Sequence, residues 1–96
     1  MASSNEYLYY VLDLLRKVPD ITYKKMMGEY LLYQGNVLFG GVYDNRFLVK
    51  KTESSSALGA REVIPYPSAK PMVLIDIENA DEIKDIVEAV VADLSK

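Results

Sequence analysis

The segment KKMMGEYLLYQGNVLFGGVYDNRFLVKK, residues 24–51, decides the fold of this 96-residue chain and carries four of its five glycines. Aromatic and β-branched residues between the glycines favour strands. Gln34-Gly35-Asn36 and Asp44-Asn45 are typical of tight hairpin turns, because glycine and asparagine tolerate positive φ. We therefore predict an antiparallel meander of three strands, over residues 24–33, 37–43 and 46–51.

The first hairpin also predicts which residues face one another. With the turn at Gly35-Asn36, the two-residue period of a strand places Tyr30 opposite Gly41 and Gly28 opposite Tyr43. An aromatic ring that covers a cross-strand glycine stabilises a sheet. We prefer this structural interpretation of the glycines to a ligand site, because no segment matches the phosphate-binding motifs GxxxxGK[ST] or GxGxxG.

The same register divides the meander into two faces. The more aliphatic face is predicted to form the core, and it holds Met27, Glu29, Leu31, Tyr33, Leu38, Val42, Phe47, Val49 and Lys51. The other face is aromatic with a basic margin, so we expect a helix of this chain, a second copy or a different protein to cover it. The residues predicted for this partner surface are Tyr30, Phe39, Tyr43, Arg46 and Leu48.

Helical patterns lie on both sides of the meander. Ser3 and Glu6 have the spacing of a capping box, and the apolar stripe that follows them is predicted to run up to Pro19. Asn79 and Glu82 repeat this spacing before a second amphipathic helix.

The segment between the meander and the last helix predicts little regular structure. Residues 52–60 are small and polar and predict a loop with at most one helical turn. Residues 62–68 contain two prolines, so a strand there must lie at an edge of the sheet. MVLIDI, residues 72–77, predicts one further strand. The chain is therefore expected to form one α+β domain, residues 1–96, with the last helix packed on the sheet.

Composition removes several kinds of chemistry. The chain has no cysteine, histidine or tryptophan, so it lacks the residues of disulfides, thiol catalysis and ordinary zinc sites. It has no GxSxG elbow and no EF-hand spacing. The neighbouring carboxylates Asp76 and Glu78, and the acidic start of the last helix, are interpreted as solvated charge. We therefore predict no catalytic, cofactor-binding or metal-binding residue and expect a protein that is not an enzyme.

Charge and hydropathy suggest where the protein works. The net charge of −3 and the pI near 4.8 argue against direct binding of nucleic acid. The sequence shows no secretory signal and no apolar run long enough to cross a membrane. A chain without cysteine suits a reducing compartment, so we expect a soluble cytoplasmic protein. Because a domain this small buries only roughly 60–65% of its unfolded surface, a homodimer is an open alternative.

The meander resembles the N-terminal domain of the TfoX/Sxy competence-regulator family, and the resemblance covers nearly the whole chain. The residues that carry it are Lys25, Met26, Met27, Gly28, Tyr33, Gly35, Asp44 and Lys50. Two features depart from the longer family members. The second, helical domain is missing, and Gly40-Gly41 with the VYDN turn looks like a subgroup of standalone proteins.

The resemblance implies a fold similar to the secretion-chaperone-like folds and a role in bacterial transcription of DNA-uptake genes. Family members are thought to act through a protein partner, such as the cyclic-AMP receptor protein, rather than through a DNA-binding motif of their own. We therefore expect a non-enzymatic protein-interaction module whose partner is a transcription factor or RNA polymerase. The alternatives are a small acidic dimeric chaperone or escort protein and a small-ligand binder or enzyme.

Overall fold

The computed structural model describes residues 3–96 and has a single antiparallel sheet with two long helices on one face. The predicted α+β class and the packing of the last helix on the sheet are confirmed. The elements are α1 Asn5–Leu14, β1 Ile21–Met26, β2 Glu29–Gln34, β3 Val37–Val42, β4 Phe47–Lys50, α2 Glu53–Ser56, β5 Glu62–Val63, β6 Met72–Leu74 and α3 Ala80–Leu94. Within residues 3–96, no helix combines the length and the apolar composition needed to cross a bilayer.

The meander contains four strands, one more than predicted. The expected first strand is divided by a turn at Met27 and Gly28, whose φ angles of 54° and 82° are both positive. Two positive φ angles match the right-handed twist of the flanking strands, so this dipeptide closes a tight hairpin between β1 and β2. The sheet order is β1-β2-β3-β4-β6-β5, which leaves β1 and β5 at the two edges.

The register predicted for the hairpin at Gly35-Asn36, which is the second hairpin of the structure, is wrong beyond its first two pairs. Gln34 pairs with Val37 as the Gly35 turn requires, but the register then shifts by one residue, and Phe39 is the extra residue of a β-bulge. As a result Gly40 lies opposite Leu32, and Gly41 lies opposite Leu31 rather than Tyr30.

The bulge also corrects the predicted faces, because a one-residue slip reverses the faces of the residues before it relative to those after it. Val42, Phe47 and Val49 are in the core as expected. Leu31, Tyr33 and Leu38 are only partly buried and lie outside the core cluster. Two residues predicted for the partner surface, Tyr30 and Phe39, pack instead beneath the helices, together with Leu32. The face covered by α1 and α3 is called the helix face below, and the opposite face the outer face.

A tyrosine ring does cover Gly41, although not the one that the predicted pairing supplied. The ring belongs to Tyr43, two residues along the same face, and a Cβ at Gly41 would lie 2.6 Å from its Cε2 atom. Gly40 is needed for another reason, since a Cβ there would meet the backbone of β4, with Val49 Cα at 3.0 Å.

The first helix begins one residue later, and ends earlier, than the sequence pattern suggested. The N-cap is Ser4, whose hydroxyl accepts the N–H of Tyr7 at 3.1 Å, because the hydroxyl of Ser3 donates to Glu29 instead. Helix α1 ends at Leu14, before Pro19, in a tightened turn where Arg16 N–H donates to the carbonyl of Asp13.

In the second half of the chain, the observed cap, short helix and edge strand agree with those predicted from the sequence. Asn79 caps α3 and accepts N–H groups of Asp81 and Glu82. The predicted polar loop contains the short helix α2, capped by Thr52. The proline-containing segment contributes only β5, at the edge of the sheet, as expected.

Candidate functional site

A groove of ≈ 700 Å³ runs across the outer face of the sheet. Strand residues Met26, Leu31, Leu38 and Met72 contribute its apolar surface, and the loop of residues 65–71 lines another part of it. The neighbouring strand β4 places Leu48 on this same face, where it is fully buried. The outer face is therefore apolar, although both long helices pack on the opposite face and α3 reaches the groove with Leu94.

Two tyrosines from distant segments form the aromatic part of the groove. The Tyr43 ring lies over Gly41, and its centroid is 6.2 Å from that of Tyr66, with the planes tilted by 50°. Burial, followed by the proximity of Tyr66 and Glu29, raises the pKa of Tyr43 above its usual value. The Tyr43 phenol therefore stays neutral at physiological pH. Tyr66 is 57% exposed, so its side chain is accessible to a partner.

The charge of the groove has the opposite sign to that of the whole chain. Its charged lining residues are Lys50, Lys51 and Lys70, and the lining contains no carboxylate. Lys51 is paired with Glu62 at 3.2 Å, whereas Lys50 and Lys70 form no ion pair within residues 3–96. A chain of net charge −3 thus presents an apolar groove with a positive margin.

The residues predicted for one partner surface are divided between the two faces. Tyr30 and Phe39 lie in the core, whereas Tyr43 and Leu48 are buried on the outer face. Arg46 lies in the adjoining turn, where its Nε donates to the carbonyl of Tyr43 at 3.2 Å. The five side chains therefore do not share one face, because the bulge at Phe39 places Tyr30 and Phe39 beneath the helices.

The residues that carry the family resemblance are spread along the meander. Lys25 and Met26 end β1, Met27 and Gly28 form its turn, and Tyr33 lies near the end of β2. The remaining ones, Gly35, Asp44 and Lys50, lie in two further turns and at the end of β4. Two of the eight, Met26 and Lys50, line the groove.

The acidic residues form no metal site in the part of the chain that the structure describes. No group of three or more acidic side chains there is placed to hold a metal ion. Asp76 and Glu78 are exposed. Lys17 Nζ lies 2.6 Å from Asp81 Oδ1, and this hydrogen bond lowers the pKa of Asp81.

Sequence reasoning missed most of the groove. Leu31 and Leu38 were assigned to the core, and Met72, Tyr66 and Lys70 were not considered as site residues. The signal that predicts a covered second face is the run of apolar residues at consecutive positions of β2 and β3, but it does not tell which of them lie on that face. Such a pattern indicates that the second face of a sheet meets an apolar partner.

The fold and the groove define a class: a small α+β protein with a half-covered antiparallel sheet whose free face carries an apolar groove. The chain belongs to the same family as the "Uncharacterized 12.7 kDa protein in trpE 5'region" of Spirochaeta aurantia. The two are 31% identical over 98 aligned positions, which cover 98% of this chain and 85% of that protein. No protein-family model matches the chain.

Proposed function

We propose that this protein is a non-enzymatic interaction module that binds an acidic, apolar segment of a partner protein in the outer-face groove. The observation that carries the proposal is the groove itself, which combines an apolar surface with lysines and without carboxylates. Apolar side chains of the partner would be removed from water against Leu31, Leu38 and Met72, which supplies affinity. Carboxylates beside them would pair with Lys50 and Lys70, which supplies orientation and selectivity.

The resemblance to the TfoX/Sxy N-terminal domain suggests a partner for this groove. We propose that the partner belongs to the transcription apparatus, either a transcription factor or RNA polymerase, and that the two meet in the cytoplasm. The protein would then act as a co-regulator through protein contact. Its acidic net charge disfavours direct contact with a phosphate backbone, since each such contact relies on cationic side chains.

The test is co-purification of the tagged protein from its native host, with paired variants. Tyr66→Ser/Lys70→Glu changes two exposed groove residues, so the fold should persist while the partner is lost. Tyr9→Ser/Lys84→Glu makes the same substitutions on helices α1 and α3, outside the groove, and should keep the partner. A transcription factor or polymerase subunit that is lost only with the groove variant would support the proposal.

Other outcomes of the same experiment would overturn it. A partner retained equally by both variants would exclude the groove as its binding site. Recovery of only the chain itself, as a dimer that the groove variant dissociates, would assign the groove to self-association. A mixture of aggregation-prone clients, kept in solution by the wild type, would favour the chaperone alternative. In a separate thermal-shift screen, a metabolite that raises the melting temperature in a saturable way would favour a small-ligand site.

A further inference from the structure

Strand β1 is an open edge of the sheet. It has six residues and no proline, and five of the six are exposed. The opposite edge, β5, has two residues and is followed closely by Pro65 and Pro67, which cannot donate a backbone hydrogen bond. Among the strands that residues 3–96 form, only β1 therefore offers an edge long enough for another strand to pair with.

The phase of the first hairpin identifies the backbone groups that point away from the sheet. In a two-residue hairpin the residues that close the turn, here Met26 and Glu29, exchange hydrogen bonds, and such pairs then alternate along the ladder. The bond from Gly35 N–H to the carbonyl of Asp20, at 2.9 Å, continues this alternation. The N–H and C=O groups of the intervening residues therefore face outward, and these residues are Ile21, Tyr23 and Lys25.

The side chains of this edge carry positive charge on both faces. Lys24 projects to the outer face, where its Nζ lies 5.8 Å from the centroid of the Tyr33 ring. Lys25, next in the strand, projects to the helix face. Neither lysine forms an ion pair within residues 3–96, and β1 contains no carboxylate.

We propose that β1 accepts an extended acidic segment of another protein as a seventh, antiparallel strand of the sheet. Backbone groups of Ile21, Tyr23 and Lys25 would supply the ladder, and adjacent carboxylates on the added strand would lie opposite Lys25 and Lys24. A second copy of this chain is a poorer occupant, because four lysines would then gather along one seam. The edge and the groove are separate surfaces that meet at Met26, so either binding mode can fail alone.

The test uses the terminally capped peptide VEEVTV, whose antiparallel pairing with β1 places its two glutamates opposite Lys25 and Lys24. Amide hydrogen exchange of the isotope-labelled protein is followed by NMR. In the free protein, the amides of Tyr23 and Lys25 should exchange quickly, and those of Thr22 and Lys24 slowly. A saturating concentration of the peptide should slow the amide exchange of Tyr23 and Lys25 and leave the exchange of Thr22 and Lys24 unchanged.

Two matched controls separate strand addition from simple charge attraction. N-methylation of the peptide at its second and fourth residues blocks the N–H groups that face β1 and should abolish binding. Methylation at the third and fifth residues, whose N–H groups face away, should be tolerated. The variant Lys24→Glu/Lys25→Glu should prefer the charge-reversed peptide VKKVTV over VEEVTV by about tenfold, which inverts the wild-type preference.

Three results would overturn the proposal. The first is slow exchange of the Tyr23 and Lys25 amides in the free protein. The second is equal binding of the two methylated peptides. The third is binding of VKKVTV to the wild type that is as tight as the binding of VEEVTV. Protection of Tyr23 and Lys25 that rises with protein concentration, without peptide, would assign the edge to self-pairing. The groove variant Tyr66→Ser/Lys70→Glu should bind VEEVTV normally, which distinguishes this interface from the groove.

Discussion

Glu29 and Asp44 are joined across fifteen residues by a hydrogen bond, in which the backbone N–H of Asp44 donates to Glu29 Oε2 at 3.0 Å. The other carboxylate oxygen accepts the N–H and the hydroxyl of Ser3, at 2.9 and 2.7 Å. The Ser3 hydroxyl accepts the N–H of Asn45 at 3.0 Å. One carboxylate therefore connects the segment before α1 with the turn that joins β3 to β4.

Replacement of Glu29 should weaken this connection. We expect Glu29→Ala to lower the free energy of unfolding by about 1–3 kcal/mol, because three donors lose a charged acceptor. Glu29→Gln should cost less, since it keeps one oxygen at the site. Urea unfolding measures the loss of unfolding free energy in both variants. The control is Glu78→Ala at an exposed position, for which a loss of about 0.5 kcal/mol or less is expected. Equal effects of Glu29→Ala and Glu78→Ala would contradict the structural role.

Phe39 should behave as a core residue and not as a partner residue. It is fully buried beneath the helices, so Phe39→Ala removes a large apolar side chain and leaves a cavity. We expect a loss of about 3–5 kcal/mol, which approaches the whole stability of a small domain. Thermal unfolding followed by circular dichroism provides the measurement, with Tyr9→Ala on the exposed side of α1 as the control. A variant that melts like the wild type would place Phe39 outside the core.

Gly35 and Gly40, both in the second hairpin, should differ in how much an alanine substitution destabilises the protein. Gly35 has a φ of +57° and open space around it. Gly35→Ala should therefore destabilise the protein only through backbone strain, by about 1–2 kcal/mol. At Gly40 the new methyl group would collide with the backbone of β4, which cannot move aside like a side chain. We expect Gly40→Ala to be the more destabilising of the two in denaturant unfolding. The reverse order would show that β3 and β4 separate easily.

Asp93 should make stability depend on acid pH. Hydrogen bonds from Ser54, including its N–H at 2.9 Å, hold the pKa of Asp93 at about 2, below the usual value near 3.8. The Asp93 carboxylate of the unfolded chain, with its higher pKa, binds a proton more readily than that of the folded chain. The contribution of Asp93 to the free energy of unfolding is therefore complete above about pH 4 and is lost as the pH falls through 2. Stability curves of wild type and Asp93→Asn should therefore converge as the pH falls from 4 to 2. A difference that stays constant over this range would exclude the linkage.

Much of the fold can be predicted from local patterns. The Asn79 cap, the apolar stripe of α3 and the Asp44-Asn45 turn act within a few residues, so their signals are complete in the sequence. The Met27-Gly28 turn was missed because methionine is a rare residue at positive φ, and the prediction treated β1 and β2 as one strand.

The candidate groove depends on the position of the β-bulge, which local sequence patterns do not predict. Val37, Leu38 and Phe39 are all good strand residues, and nothing in their order shows which one is the extra residue of the bulge. That choice depends on Gly40, which allows β4 to approach closely, and on Tyr43, which covers Gly41. Both contacts involve atoms that come together only when the sheet forms.

The sequence by itself therefore determined the α+β class, the antiparallel meander and most of its turns. Only the tertiary structure decided which apolar residues lie beneath the helices and which line the groove beside Lys50 and Lys70. The physical reason is the two-residue period of a strand. One bulged residue, selected by close packing between strands, reverses the faces of the residues before it relative to those after it.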